Sequence, residues 1–516
     1  MDTRRPRSAP AAAGASLLVA LMLGATPGQS LEPPTVADEV PATTSDLTIS
    51  TADNSPMLLA DPTERRFVVL AHRTDAPAFG CGLQVSGNGG RSWVGANPVP
   101  KLPEGAETCY APEVAFDRDG TLYYVFIGLA GLGNNPVGVY LTTSTNHAQT
   151  FSPPRLLLGK SSYQVRIAMD PTIGAYGRLY IVWMKASDDS VLGGLPSTAN
   201  PLFTAYSDDR GVTFSDPVQV SDPSRARVVA PAIAIGKDHA VHVAYYDLMD
   251  DFRDYQGLEG PAWEGPWSVV VTSSYDRGRH FDRGVLVDDK LVPPGRVMLI
   301  YTMAPPSLVA DDAGAVQLAW SDARRGDPDV FVSRSVDGAR TWQPAERVND
   351  DPADNGREQA LPRLGLAPTG RLDLVFLDRR NDPNNVEYDV YYTYAVDGGA
   401  FAPNVRLTQR ASNAYVGQRY EVPSAVGLVE LGGRLGLLSM PSYAVAAWPD
   451  SRNSLLGDTE QDVFTTAIEF PGVPGPTGGD SSFPVVMALA AGAVVLVGLV
   501  AVIVRRRSKT PSAPLP

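Results

Sequence analysis

Three arginines stand at comparable places in this chain: Arg166 in "RIAMD", Arg357 in "GREQALP" and Arg419 in "QRYEVP", the last followed at once by Tyr420 and Glu421. A guanidinium is a planar fork of donors that meets a carboxylate with two parallel bonds, so three of them brought to one point would hold an anionic ligand. The bland alternative is that each is a solvated or ion-paired surface group. A second set repeats more regularly: "WSDARRGDPD", "FLDRRNDPNNVEYD" and "WPDSRNSLLGDTEQD" put Asp322, Asp378 and Asp450 two residues ahead of Arg324, Arg380 and Arg452. Repetition favours architecture over a single asymmetric site. Each aspartate is then expected to close its loop, with the arginine paired to carboxylates of the same or an adjacent unit.

Other chemistries find little support. His72, His147, His239, His242 and His280 show no metal-ligand spacing. "DLMDDFRDYQ" (247–256) and "NDDPADN" (349–355) carry oxygens enough for Ca²⁺, yet neither matches an EF-hand loop, and both read as solvated acidic loops. No cofactor is predicted, although calcium is chemically admissible there. There is no GxSxG, no phosphate-binding loop and no dinucleotide fingerprint. A formal net charge of −14 argues against nucleic acid, whose phosphates are met by clustered lysine and arginine.

The elements that would position these residues are strands. Gly 48 and Pro 45 punctuate short runs rich in Val, Ile, Leu and Tyr, which reads as all-β. Proline serves as a ruler: "PMLLA" (Pro56), "PEVAF" (Pro112), "PAIAI" (Pro231), "PSLVA" (Pro306), "PRLGL" (Pro362) and "PSAVG" (Pro423), with "RIAMD" (Arg166) as a copy lacking its proline, each open a unit of four apolar runs. Seven such units, repeating at about sixty residues, predict a β-propeller of seven blades, with six as the alternative. In the last unit "PSAVGLV" reads as the first strand, "GRLGLLSM" or "SYAVAAW" as the second and "QDVFTTAIEF" as the third, and no fourth comes after it. The orphan segment "DLTIS" (46–50) is predicted to supply it and close the ring.

Between third and fourth strands lies a recurring motif, sharpest in "SDDRGVTF" and "SYDRGRHF". Ser207, Asp209, Gly211 and Phe214, and likewise Ser274, Asp276, Gly278 and Phe281, read as a turn lock. The acid and serine bond turn amides, glycine takes a positive φ, and the aromatic folds back to be buried beside the next sheet. Looser copies are "SGNGGRSW", "STNHAQTF" and "SVDGARTW", with a shortened "AVDGGAF". The pattern resembles the Asp-box, or BNR repeat, of the sialidase-like propellers over residues 46–470. That resemblance implies a ligand face opposite these turns. Its enzymes hold a sugar carboxylate with three arginines, use a glutamate-activated tyrosine as nucleophile and an aspartate as acid/base. Carried onto this chain it points to Arg166, Arg357 and Arg419 as the ligand-binding set, with Tyr420 and Glu421 as catalytic candidates. Two departures are plain: those enzymes have six blades, and their arginine ahead of the first proline is replaced here by Asn54 and Ser55.

The chain ends speak of location. Residues 1–30 have the basic start, apolar middle and small-residue end of a secretory signal. After the propeller (46–470), the segment 471–482 reads as a flexible stalk. The uncharged run 483–504 would be about 33 Å long as a helix, enough to cross a bilayer. Arg505, Arg506 and Arg507 then place the tail 505–516 in the cytoplasm. In the oxidising exterior Cys81 and Cys109 read as one disulfide, with two separate buried thiols as the alternative. The sequence thus predicts a single-pass surface protein with an extracellular propeller. Its expected role is a glycan- or protein-binding platform, with an exo-α-sialidase-type glycoside hydrolase as the rival.

Overall fold

The computed structural model describes residues 32–44, 51–95, 100–131, 134–185, 200–251, 265–292, 304–417, 431–454 and 459–472. The segments read as signal, as membrane span and as cytoplasmic tail fall outside them, as does most of the stalk. Among the described residues no helix is long and apolar enough to cross a membrane.

Seven antiparallel sheets succeed one another along the chain, each with a run of four strands, making a seven-bladed β-propeller. Blade 1 consists of Asp53–Ala60, Val68–Thr74, Gly80–Ser86 and Val94–Gly95. Blades 2 to 6 open with Thr108–Phe116, Ser162–Asp170, Val228–Ile235, Ser307–Ala310 and Gln359–Leu366. Blade 7 is Gly436–Ser439, Tyr443–Asp450 and Asp462–Glu469. Its second strand is therefore the "SYAVAAW" alternative, and "GRLGLLSM" contributes the first. The "PSAVGLV" segment expected to open this blade lies outside the described residues.

The fourth strand of blade 7 does come from the N-terminus, but not from 46–50. Thr35 and Val36 pair with Glu469 and Ile468, and Val40 and Pro41 with Thr465 and Phe464. The propeller thus starts at Thr35 rather than at residue 46, and Pro41, not Ile49, sits opposite Phe464; 45–50 lie outside the described residues. Two-residue strands show no alternation, which is why the pattern passed over them. Blade 1 meets blade 7 through Arg91 and Glu469, 2.5 Å apart, and through the Trp93 indole, which donates to Thr465 at 2.9 Å.

Apolar second and third strands, buried on both faces, fill the spaces between blades. One cluster runs from Tyr180 and Val182 of blade 3 through Val243 and Trp267 of blade 4 to Leu318 and Trp320 of blade 5. The serine-to-aromatic turns lock these sheets. Ser207 donates to Asp209 at 2.8 Å and accepts from the Gly211 amide at 2.7 Å, while Asp209 accepts the Thr213 amide at 2.8 Å. The copy at Ser274 repeats this, and so do the worn ones, since Asn88 and Asn146 present the same side-chain oxygen. The turn folds toward the preceding blade, not the next one. A Cβ on Gly211 would come within 2.4 Å of Leu141 in blade 2, and one on Gly278 within 2.8 Å of Tyr180 in blade 3.

Candidate functional site: the axial arginine cluster

Among the described residues, the innermost strand carries a β-bulge in five blades. Ser55, Ala111, Gln164, Ala230 and Leu361 have φ between 49° and 57°, and the strand register slips at each. In four of them the next residue is the proline of the sequence ruler. A bulge inserts a residue and re-aims the side chains beyond it. There Glu113, Arg166 and Arg363 occupy one register position in three blades, opposite Val125, Val182 and Val375.

Glu113 and Arg166 line an axial pocket together with Ser55, Arg73, Tyr110 and Arg434. Arg434 forms an ion pair with Glu113, donates to the Pro112 carbonyl at 2.7 Å and reaches the Ser55 carbonyl at 3.2 Å. Arg166 approaches the same carboxylate at 3.4 Å and donates to the Val165 carbonyl at 2.8 Å. Arg363 lies too far from Glu113 for a direct ion pair, yet it feels this cluster. Burial first, and then repulsion from Arg434 and Arg166 against the pull of Glu113, push its guanidinium down to about 10. Its Nε is buried with no hydrogen-bond partner among the described residues. Burial also lowers Arg166, against the attraction of Glu113. Two guanidiniums thus share one carboxylate where water is scarce, and a third, Arg363, stands in their field, a local excess of positive charge that is costly unless an anion completes it.

The remaining arginine of the pocket is spoken for. Arg73 clasps Asp75 with two contacts of 2.7 Å and donates to the Tyr110 hydroxyl at 2.6 Å. Asn54 holds the same aspartate at 2.8 Å. The cavity has a volume of about 30 Å³, room for a small polar group and not for a pyranose ring. Cys109 immediately precedes Tyr110 and is joined to Cys81 of blade 1, with a Cα–Cα distance of 5.8 Å, so a covalent strap crosses between blades beside the pocket.

Of the arginines singled out in the sequence, Arg166 is in this pocket and Arg357 is not. Arg357 precedes the bulge of its strand and donates to the Pro383 carbonyl at 2.9 Å, while Glu358 beside it accepts from Arg379 at 2.7 Å. Arg419, Tyr420 and Glu421 lie outside the described residues. Sequence reasoning missed Glu113, Arg363 and Arg434. The signal was present in "PEVAF" and "PRLGL", where a charged residue comes directly after the ruler proline inside an otherwise apolar run.

The Asp–Arg repeat takes the architectural form. Asp322, Asp378 and Asp450 accept the amides of Arg324, Arg380 and Arg452 at 2.9, 2.7 and 2.9 Å. Each guanidinium lies over a third-strand ring, Phe331, Tyr391 or Phe464, and bonds a further carboxylate: Asp288, Asp350 or Glu39. The 349–355 loop is solvated at Asp350 and at 352–354, as expected, but is rooted in the protein by two residues. Asn349 and Asp351 are buried, and Asp351 accepts from Arg347 at 2.8 Å. Among the described residues no group of three His, Cys, Asp or Glu could hold a metal ion.

No family model matches the chain, and no curated protein matches it either. Among solved structures it is similar to a protein of unknown function from Dyadobacter fermentans, with 11% identity over 85% of this chain and 99% of that one and a TM-score of 0.45. It is also similar to a polysaccharide lyase, an ulvanlyase, with 12% identity over 68% and 80% and a TM-score of 0.46. A Hadza microbial sialidase shares 14% identity over 80% and 75%, with a TM-score of 0.42.

Proposed function

We propose that this protein is a surface-anchored propeller that binds an acidic glycan without cleaving it, seating a carboxylate among Arg166, Arg363 and Arg434. The observation that carries this reading is the buried Nε of Arg363, without a hydrogen-bond partner among the described residues, beside two further guanidiniums, Arg166 and Arg434, and one carboxylate, Glu113. The small cavity fits the tip of a ligand, with the sugar body lying above it. The anchor proposed at 483–504 fits as well. The last strand leaves at Glu469 on the edge that carries the serine-to-aromatic turns, so a tethered propeller would turn its arginine mouth away from the bilayer.

The test is calorimetric titration of sialylated and uronate-bearing oligosaccharides into the purified protein. Arg363→Gln should weaken binding roughly tenfold or more, the scale of a lost charge-assisted hydrogen bond. Unchanged affinity in that variant would remove the reading.

A second reading, an exo-α-sialidase-type hydrolase, draws on one observation: the Tyr110 hydroxyl accepts from Arg73 and shares the pocket with Glu113. A fluorogenic sialoside decides it. Turnover abolished by Tyr110→Phe would establish the hydrolase, and absence of turnover alongside tight binding leaves the platform.

A further inference from the structure

A cleft of about 360 Å³ lies between blades 4 and 5, lined by Lys237, His242, Tyr275, Gly314, Val336 and Arg340 among others. It occupies the opposite edge of the sheets from the axial pocket. In blade 4 that pocket's edge is where Val228 pairs with Asp247, whereas Ile235, Val241 and Ser274 meet at the cleft edge.

The same turn position elsewhere in the ring shows what is missing here. Arg91 in "SGNGGRSW" and Arg340 in "SVDGARTW" both stand five residues after the serine. Each donates to the carbonyl of the turn's third residue, Asn88 at 3.2 Å and Asp337 at 2.7 Å. Each lies over a tyrosine of the preceding blade, Tyr443 at 4.6 Å and Tyr275 at 4.1 Å. Arg91 then completes its fork on Glu469 at 2.5 Å. Arg340 has no carboxylate partner among the described residues: the place of Glu469 at the end of the third strand is taken in blade 4 by Ser274, and the guanidinium lines the open cleft instead. Its stacking on Tyr275 holds the guanidinium in place without consuming its outer donors.

The rest of the cleft supplies complementary groups. The stem of Lys237 lies across the gap, since a Cβ on Gly314 would meet its Cδ at 3.4 Å. Of the two acids at the cleft, Asp337 is engaged by Ser335 and Thr341, and Asp238 stands exposed at the rim. Val336 is 60% and Tyr275 41% exposed, an apolar rim beside the two cations. His242 is bonded through Nδ1 to Ser273 at 2.8 Å. Burial and the nearby Arg340 hold its ring neutral, with a pKa pushed down to about 4, so it faces a ligand as a neutral hydrogen-bonding group.

We infer that this cleft is a second ligand site, for a carboxylate carried on a compact hydroxylated ring of monosaccharide size. Arg340 and Lys237 hold the carboxylate, Val336 and the Tyr275 edge meet the ring, and His242 bonds a hydroxyl. The inference stands apart from the axial site, which lies on the other face.

The experiment is saturation-transfer NMR backed by calorimetry on the full chain, with D-glucuronate as probe and D-glucose and inorganic sulfate as comparators. Glucuronate should bind saturably, with glucose and sulfate each about tenfold weaker or worse, as the loss of a charge-assisted contact or of the ring contacts requires. Measured in an Arg363→Gln background that silences the axial pocket, Arg340→Gln should weaken glucuronate about tenfold and Lys237→Gln should weaken it less, with near-UV circular dichroism unaltered throughout. The inference is overturned if glucose or sulfate binds as tightly as glucuronate, or if Arg340→Gln binds like the parent. It is equally overturned if no saturable binding remains in the Arg363→Gln background, which would assign the probe to the axial pocket instead.

Discussion

Glu113 is the residue on which the two functional readings part. In the binding reading it competes with the ligand for Arg434 and Arg166, so Glu113→Gln should tighten binding of an acidic oligosaccharide while destabilising the ligand-free protein. That protein would hold buried guanidiniums with no counter-charge, and added ligand should restore the lost stability. In the hydrolase reading the same substitution removes turnover. Calorimetry and thermal melts with and without ligand distinguish the two, and weaker binding in Glu113→Gln would count against the platform. The contrast between Arg357 and Arg363 explains what the sequence could and could not disclose at this scale. Arg357 stands five residues before Pro362 and Arg363 directly after it, and the linear pattern favours the one before the strand because loop residues are free to reach a ligand. The bulge at Leu361 reverses that expectation, turning the position after the proline toward the axis. A positive φ at a non-glycine residue leaves no mark in composition.

At the scale of elements the hydrogen-bonded lock of the serine-to-aromatic turns was legible, though not the blade it packs on, because each atom of the lock is set by residue type: a hydroxyl, a side-chain oxygen two residues on, and a small residue tolerant of positive φ. Asp209 and Asp276 are pushed up by partial burial, but hydrogen bonds from Thr213 and Ser207, and from His280 and Ser274, bring both to about 2. Asp337 reaches about 2 through the Thr341 hydroxyl and amide. These folded values lie below the unfolded 3.8, so the turns' contribution is complete above pH about 3.8 and is lost as pH falls through about 2. Tryptophan fluorescence should accordingly report a transition within that window. The triple variant Asp209→Asn, Asp276→Asn, Asp337→Asn should stay folded at pH 7 and show a weakened acid transition, since Asn88 and Asn146 already make the lock with an amide oxygen. A triple variant unfolded at neutral pH would mean that the charge, not the acceptor, holds the turn. The last blade was legible only in part: its third strand is long and apolar, whereas the four residues of its first strand are too few for a period to show.

At the scale of the whole molecule, the ring is closed by two short N-terminal strands, each of two residues, and backbone pairing of that length is weak on its own. The Asp–Arg repeat supplies the missing strength. In blades 5 and 6 its arginine ties a blade to the one before, through Asp288 on that blade's outer strand and Asp350 in the loop after the outer strand. In blade 7 the corresponding partner is Glu39, on the stretch between the two closing strands, so one architectural device has been turned to sealing the ring. Arg452 is bonded to Glu39 and to Asp450, whose side chains are 3% and 0% exposed. Gln409 of blade 6 donates its backbone N–H to the Glu39 carboxylate at 2.9 Å. Replacing Arg452 by alanine strands two buried carboxylates, a loss of roughly 3 kcal/mol or more, and the effect should be concentrated at the seam. Hydrogen exchange should accelerate in Asp462–Glu469, whose outer edge the N-terminal strands cover, before it does in blades 2 to 5. The equivalent Arg324→Ala leaves the closing strands untouched, and its exchange should rise around blades 4 and 5 instead. If both variants loosened the ring uniformly, the arginine clamps would be general stabilisers and the closure would rest on backbone pairing and apolar burial alone.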